Sequence, residues 1–275
     1  MAYEDEDLAQ LRIPLIALVD ATNNFAEENL LKRGEKADVF KGVLTLFDAH
    51  INVVKLKYSG HLFNFYEDIK RIRSWHRNVV SFVGFCDEKD ERLIVFEHVA
   101  NGSLDKYLSD PIFLTWSQRL HICFGAALGL SNTLGSLKSF KILLDKDWEA
   151  KVLFCIESES KNSDLYCLGV ILLEVLYGRN STIEDVNRYI AEMSEKQYHD
   201  EGELLDDVIP PNLRTQMHAE SLSIFSEIVY NCLKEQSDQQ SISMFDQILK
   251  RLEQAIEIQE KHEKVSTFII TLKQN

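Results

Sequence analysis

Residues 163–179 read SDLYCLGVILLEVLYGR, and few folds can accommodate them. From Leu165 to Tyr177 the single charge is Glu174, and Leu, Val, Ile, Tyr and Cys fall on every side of a helix with this sequence, so protein must surround it. The run is too short to cross a bilayer, which needs about 18 or more apolar residues. Ser163 and Asp164 can accept backbone N–H bonds of the first turn, Gly178 suits the C-terminal stop, and Arg179 suits the negative end of the helix dipole. The spacing predicts a central, buried helix.

A chain of 275 residues can enclose such a helix in one large or two small domains. Its 30 basic and 44 acidic residues leave a net charge of −14, which repels nucleic acid and anionic membranes, and no basic patch overrides that field. No nucleic-acid partner is expected. Cys86, Cys123, Cys155, Cys167 and Cys232 lie in apolar contexts and form no CxxC, which predicts reduced core thiols and a reducing compartment. The N-terminus, MAYEDEDLAQL, is acidic where a signal peptide is basic and then apolar, and no window is long enough for a transmembrane segment. The expectation is a soluble, cytoplasmic chain.

Taken in order, residues 1–24 hold a short amphipathic helix after Pro14, with Leu15, Leu18, Val19 and Thr22 at helical spacing and Asn23 and Asn24 closing it. From Phe25 the texture changes to short β-branched or aromatic runs, Asp38–Gly42, Ile51–Leu56 and Leu93–Glu97, separated by polar turns as in antiparallel strands. One helix interrupts them at Phe63–Trp75, where Phe65, Ile69 and Ile72 form an apolar face. After Gly102 the pattern becomes mainly helical: Ser103–Leu108, Trp116–Leu134, the central helix, Ile183–Met193, Leu222–Glu235 and Ile242–Glu263. A β-branched run follows, Val265–Leu272, which reads as a strand seeking a partner or as the remnant of an unfinished segment.

Several phrases together resemble the landmark segments of plant receptor-like kinase domains, most closely the branch with malectin-like extracellular domains. They are ATNNF at 21–25, VFKGVL at 39–44, HRNVVSFVGFC at 76–86, NGSLDKYL at 101–108, LTWSQRLHIC at 114–123, KILLD at 141–145, AKV at 150–152 and the central helix. The resemblance covers nearly the whole chain in the family's order. It implies an α+β, two-lobed protein kinase-like fold, with a small antiparallel sheet and one helix in the first lobe and a larger, mainly α-helical second lobe. The implied division is an N-terminal extension at 1–24, an N-lobe at 25–98, a C-lobe at 99–258 and a tail at 259–275.

At the positions that carry chemistry the resemblance fails. Kinases cover ATP phosphates with GxGxxG because only glycine lets the backbone approach them closely. The aligned stretch here is Lys32-Arg33-Gly34-Glu35-Lys36-Ala37, with one glycine surviving, and it reads as an ordinary hairpin turn or as an altered nucleotide lid. Lys55 aligns with the lysine that reaches the α and β phosphates, Asp68 with the helix glutamate that pairs with it, and Val53 with the alanine beneath the adenine. Lys55 is then either a structural relic that holds its helix through Asp68 or a phosphate ligand. With Gly34, Val39, Phe96 and Glu97 these residues make up a vestigial nucleotide-binding set.

Phosphoryl transfer also needs a carboxylate to orient the nucleophile and oxygen ligands for Mg²⁺. The HRD positions are Leu134, Gly135 and Ser136, so serine stands at the catalytic aspartate; the metal-binding asparagine becomes Lys141; DFG becomes Phe154, Cys155 and Ile156. No metal site is expected, and ATP, if held, is held without Mg²⁺. Asp145 and Asp147 lie nearby, but by the resemblance Asp145 belongs to a strand turn. Few residues separate Phe154 from Asp164, so the long activation segment is missing. The Ala-Pro-Glu anchor and the arginine it pairs with are both absent, the latter replaced within Ser241-Ile242-Ser243-Met244. Losing both halves of a buried pair is nearly neutral, whereas losing one costs roughly 3–5 kcal/mol. His76 reads as a loop or packing residue, His121 as a partly buried one, and Ser158–Ser163 as a linker that a phosphate could convert to a docking point.

The expectation is a catalytically inactive receptor-kinase-like domain, a protein-interaction or regulatory module with protein partners such as an active receptor-like kinase. The alternative is a weak ATP-binding protein serine/threonine kinase that works through Lys55.

Overall fold

A computed structural model describes residues 6–35, 37–44, 49–56, 65–73, 76–110, 113–131, 141–153, 163–196, 208–235 and 242–274. Leu134, Gly135, Ser136, Phe154, Cys155, Ile156 and the linker residues 158–162 lie outside that set. The chain divides into two compact units, Met1–Val99 and Ala100–Asn275.

The first unit opens with α1 (Glu6–Ala9) and α2 (Leu15–Ala21). Thr22 ends α2 by returning its hydroxyl to the Leu18 carbonyl at 2.7 Å, and Asn23, Asn24 and Phe25 follow in the left-handed region at φ 51, 56 and 53°. Asparagine tolerates that conformation; for Phe25 packing must hold it there. The sheet is β1 (Leu30–Arg33), β2 (Ala37–Leu44), β3 (Ala49–Leu56), β4 (Phe82–Glu88) and β5 (Glu91–Glu97), antiparallel throughout in the order β1-β2-β3-β5-β4. Between β3 and β4 lies α3 (Phe65–Ile72).

In an antiparallel ladder, residues directly opposite share a face and the face alternates along each strand. Val53 stands opposite Phe40 on one side and Val95 on the other, and Gly84 is opposite Val95. On this face Leu44, Ile51, Val53, Cys86, Leu93 and Val95 form one apolar cluster with Leu18, and Ile13, Leu15, Ala21 and Phe25 pack against it. Residues 11–25 therefore cover this face. Ile13 N donates to the Phe85 carbonyl at 2.8 Å and Phe85 N to the Leu11 carbonyl at 3.0 Å, which ties the segment to the β4 edge. The approach is close: a Cβ at Gly42 would lie 2.9 Å from the Ala21 carbonyl oxygen, so β2 needs a glycine there.

The opposite face belongs to α3. Phe65 and Tyr66 meet the Phe85 ring edge-on at 5.8 and 6.0 Å, and the Tyr66 hydroxyl donates to Asp87 at 2.8 Å. Phe85 is opposite Ile94, and Val54 is opposite both Ile94 and Val39. Val39, Val54, Ile94 and Phe96 thus share the α3 face.

The second unit carries a small sheet of β6 (Gly102–Ser103), β7 (Ile142–Leu144) and β8 (Ala150–Val152), and helices α4 (Trp116–Ser131), α5 (Asp164–Tyr177), α6 (Ile183–Lys196), α7 (Pro211–Arg214), α8 (Ala219–Lys234) and α9 (Ile242–Gln274). The predicted central helix is α5. Its Ser163 hydroxyl accepts from Tyr166 N at 3.1 Å, and Gly178 ends it at φ 66°. Leu168, Leu172, Leu173, Val175 and Leu176 are fully enclosed, as an all-round apolar helix requires.

The structure departs from the sequence expectation at three places. Ser103–Leu108 is β6 followed by a single 3-10 turn at Leu104–Lys106. The Val265–Leu272 run is not a strand but the continuation of α9, because helix already propagating from Ile242 extends at little further cost and overrides β-propensity. His121 is exposed, its side chain 54% accessible, with its ring nitrogen 3.0 Å from Glu260 on α9. No helix among the described residues is long and apolar enough to cross a membrane.

Candidate functional site

The structure divides the strand residues of the vestigial nucleotide-binding set between the two faces of the sheet. Val53 and Lys55 lie on the face covered by residues 11–25, whereas Val39 and Phe96 lie on the α3 face. Lys55 is opposite Asp38 and Leu93, and its ammonium reaches Glu91 Oε1 on β5 at 2.7 Å and sits 4.5 Å above the centre of the Phe25 ring. Asp68 belongs to α3, on the other side. The expected Lys55–Asp68 pair is therefore replaced by a Lys55–Glu91 pair, for a plain reason: strand side chains alternate, and a shift of one residue in β3 moves every one of them to the other face. Beyond Val54, the residue β3 turns to the α3 face is Leu56.

Gly34 sits in the β1–β2 turn, its N–H donating to the Ala37 carbonyl at 3.0 Å and to Asp38 Oδ1 at 3.2 Å. Those bonds point the amide into the hairpin, which matches the turn reading of this stretch. Glu97 lies opposite Ile51, and its Oε1 accepts from Ser81 N at 2.9 Å, closing the loop before β4. His76 likewise has a loop role, its Nδ1 accepting from Asn78 N at 3.2 Å.

In the second unit Lys141 immediately precedes β7, and its carbonyl accepts from Leu153 N at 2.8 Å across the β7–β8 hairpin. Asp145 occupies the turn of that hairpin. Its Oδ1 accepts from the backbone N–H groups of Asp147 and Glu149, both at 2.9 Å, so the carboxylate is committed to the turn. Among the described residues no cluster of three or more His, Cys, Asp or Glu is arranged to hold a metal.

The buried chemistry that does exist is structural. Arg119 of α4 is wholly enclosed and donates to three carbonyls, Leu114 at 2.9 Å, Val175 at 3.0 Å and Leu108 at 2.8 Å. Burial lowers its pKa to about 10, which leaves it a cation at neutral pH. The negative end of α5, from which the Val175 carbonyl projects, suits that charge. Burial, and after it Glu88 and Asp87, pushes the Cys86 thiol up to about 11, and burial pushes Cys232 up to about 12, so neither is a reactive thiolate. Sequence reasoning missed Arg119, Glu91 and Phe25 as partners. The signal for Arg119 was a charge inside an otherwise apolar helix; no comparable signal marked Glu91.

Comparison with known proteins agrees with this layout. Residues 25–136 match the protein tyrosine and serine/threonine kinase family. The receptor-like protein kinases HERK 1 and THESEUS 1 of Arabidopsis thaliana are each 32% identical, over 92% and 88% of this chain. This chain is a protein kinase-like domain of the plant receptor-like kinase family. It spans about a third of the length of those relatives, 36% and 34%. In fold it is similar to the pseudokinase domain of BIR2, described as an immune regulator of the RLK/Pelle family, with a TM-score of 0.70 at 24% identity, covering 90% of this chain and 87% of that one.

Proposed function

We propose that this kinase-like domain is catalytically inactive and acts by binding proteins, an active receptor-like kinase among them, as a regulatory module in kinase signalling. The observation that carries this reading is the β3 register: Lys55 is paired with Glu91 and covered by Phe25, on the face away from Val39, Phe96 and α3. The residue identities add weight, with Ser136 at the catalytic aspartate and Lys141 and Phe154 at the metal-ligand positions. Loss of a positioned acid–base group alone removes typically about 10²–10⁴-fold in rate. Loss of the metal removes several kcal/mol more of charge stabilisation. Nucleotide occupancy, on this reading, is weak and independent of Mg²⁺. BIR2, whose pseudokinase domain is similar in fold, is itself an immune regulator, a role of the same general kind.

Phosphoryl transfer from labelled ATP with Mg²⁺, to the chain itself and to a general protein substrate, tests the proposal in the wild type and in Lys55→Met. The expected result is no transfer above background in either. Transfer by the wild type that Lys55→Met abolishes would establish the alternative, a weak serine/threonine kinase.

A further inference from the structure

At the end of the first-unit sheet remote from Gly34, β3 and the residue after β5 each present an imidazole. His98 N donates to the His50 carbonyl at 3.1 Å, which extends the β3–β5 ladder by one step and holds the two residues opposite each other. By alternation both side chains fall on the face of Asn52, Val54 and Phe96. Their ring centres are 6.3 Å apart, with the planes inclined by 51°, and both residues are exposed. His98 Nδ1 lies 3.1 Å from Asn52 Oδ1. An amide oxygen only accepts, so Nδ1 carries the hydrogen of that bond and Nε2 keeps its lone pair.

A neutral ring, oriented through its other nitrogen by an oxygen acceptor, is the form in which histidine ligates metal ions. An ion about 2.0–2.1 Å from one nitrogen of each ring sets the ring centres roughly 5.2 Å apart at a tetrahedral angle and roughly 6.4 Å apart in a trans arrangement, so the rings, now 6.3 Å apart, close by roughly 1 Å around a tetrahedral ion.

We propose that His50 and His98 form a two-imidazole site for a divalent transition-metal ion of the Zn²⁺ or Cu²⁺ class, with Asn52 orienting the His98 ring and solvent completing the coordination. Nothing in the kinase-like reading of the domain requires such a site, and the two stand or fall separately. Lys41, opposite Asn52 across β2–β3, works against a dication and moderates the affinity.

Titration calorimetry with Zn²⁺ and electron paramagnetic resonance with Cu²⁺, on the whole chain, decide the matter. The expected result is a single site of micromolar affinity whose Cu²⁺ spectrum carries imidazole nitrogen couplings. His50→Gln and His98→Gln each weaken binding at least about tenfold, and Asn52→Ala weakens it about tenfold, as loss of an outer hydrogen bond does. Lys41→Met tightens it. His218 and His262, whose ring centres are 4.9 Å apart in the second unit, serve as the control: His218→Gln and His262→Gln leave the isotherm unchanged. Each variant is checked for an unaltered denaturation midpoint. Binding that survives the His50→Gln/His98→Gln double substitution, that is lost in His218→Gln, or that is absent up to millimolar Zn²⁺ overturns the proposal.

Discussion

Helix α5 and strand β3 are both apolar landmarks of the kinase-like domain, yet they tolerate error differently. In α5 every residue but Asp164, Tyr166 and Val170 is buried, so a rotation of the reading by one residue changes little about its environment. In β3 a shift of one residue exchanges the covered face of residues 11–25 for the face of α3. The packing of the second unit can therefore persist through sequence drift, while the chemistry of the first unit depends on a single residue of register. A domain that keeps α5 and its caps but pairs Lys55 with Glu91 has kept the fold without the Lys55–Asp68 pair that the resemblance implies.

The largest expected effect probes the robust side of that contrast. Arg119→Ala leaves the carbonyls of Leu108, Leu114 and Val175 unmet and opens a cavity, and should cost about 4 kcal/mol in urea denaturation. A loss below about 1 kcal/mol would mean that α4 and α5 do not depend on this cation.

A smaller effect separates the two faces of β3. Val53 is 0% exposed and Val54 is partly exposed. Val53→Ala should cost about 2 kcal/mol and Val54→Ala less than about 1 kcal/mol. The reverse order would place Val53 on the opposite face and restore the family's arrangement.

Asp185 tests the second unit by pH. Bidentate bonds from Arg179, both at 2.8 Å, hold its carboxyl well below the usual carboxylate range, against the opposing effect of burial, and Thr182 N–H adds to the hold at 2.9 Å. A folded-state pKa below the unfolded value means that the stabilisation is present above about pH 4 and is lost as pH falls towards the depressed value. The Asp185 side chain is 6% exposed but Arg179 is 50% exposed, so solvent screens the pair. Asp185→Asn should cost about 1–2 kcal/mol at pH 7, and its deficit against the wild type should close between about pH 4 and pH 2. A deficit that persists unchanged at acid pH would assign the effect to packing.

The smallest effect is the most diagnostic for Lys55. With side chains 30% and 33% exposed, the Lys55–Glu91 pair should show a coupling of about 0.5–1 kcal/mol in a double-mutant cycle of Lys55→Met with Glu91→Gln. The same cycle with Asp68→Asn should show none. Coupling to Asp68 instead would return the lysine to the helix.

Much of the fold was legible before the structure. The caps of α5 at Ser163 and Gly178, the end of α2 at Asn23 and Asn24 and the apolar face of α3 all follow from local rules of spacing and backbone preference. The face of β3 did not. It is set by pairing with β2 and β5, and alternation within INVVK is equally consistent with either side facing α3. The Val265–Leu272 run shows the same limit, since its β-branched residues favour a strand only where no helix is already propagating into them. Arg119 was readable as a charge in a largely apolar helix, but its acceptors include the Val175 carbonyl, 56 residues away in sequence.

On the function proposed above, the kinase-like fold survives here without Mg²⁺-dependent nucleotide chemistry. Thermal denaturation of the purified chain with ATP, once with Mg²⁺ and once with EDTA, tests it most directly. A ligand at 100 times its dissociation constant stabilises a fold by about 2.7 kcal/mol, a readily measured shift in midpoint. The expected result is one cooperative transition with no Mg²⁺-dependent shift. A shift that requires Mg²⁺ and disappears in Lys55→Met would contradict it.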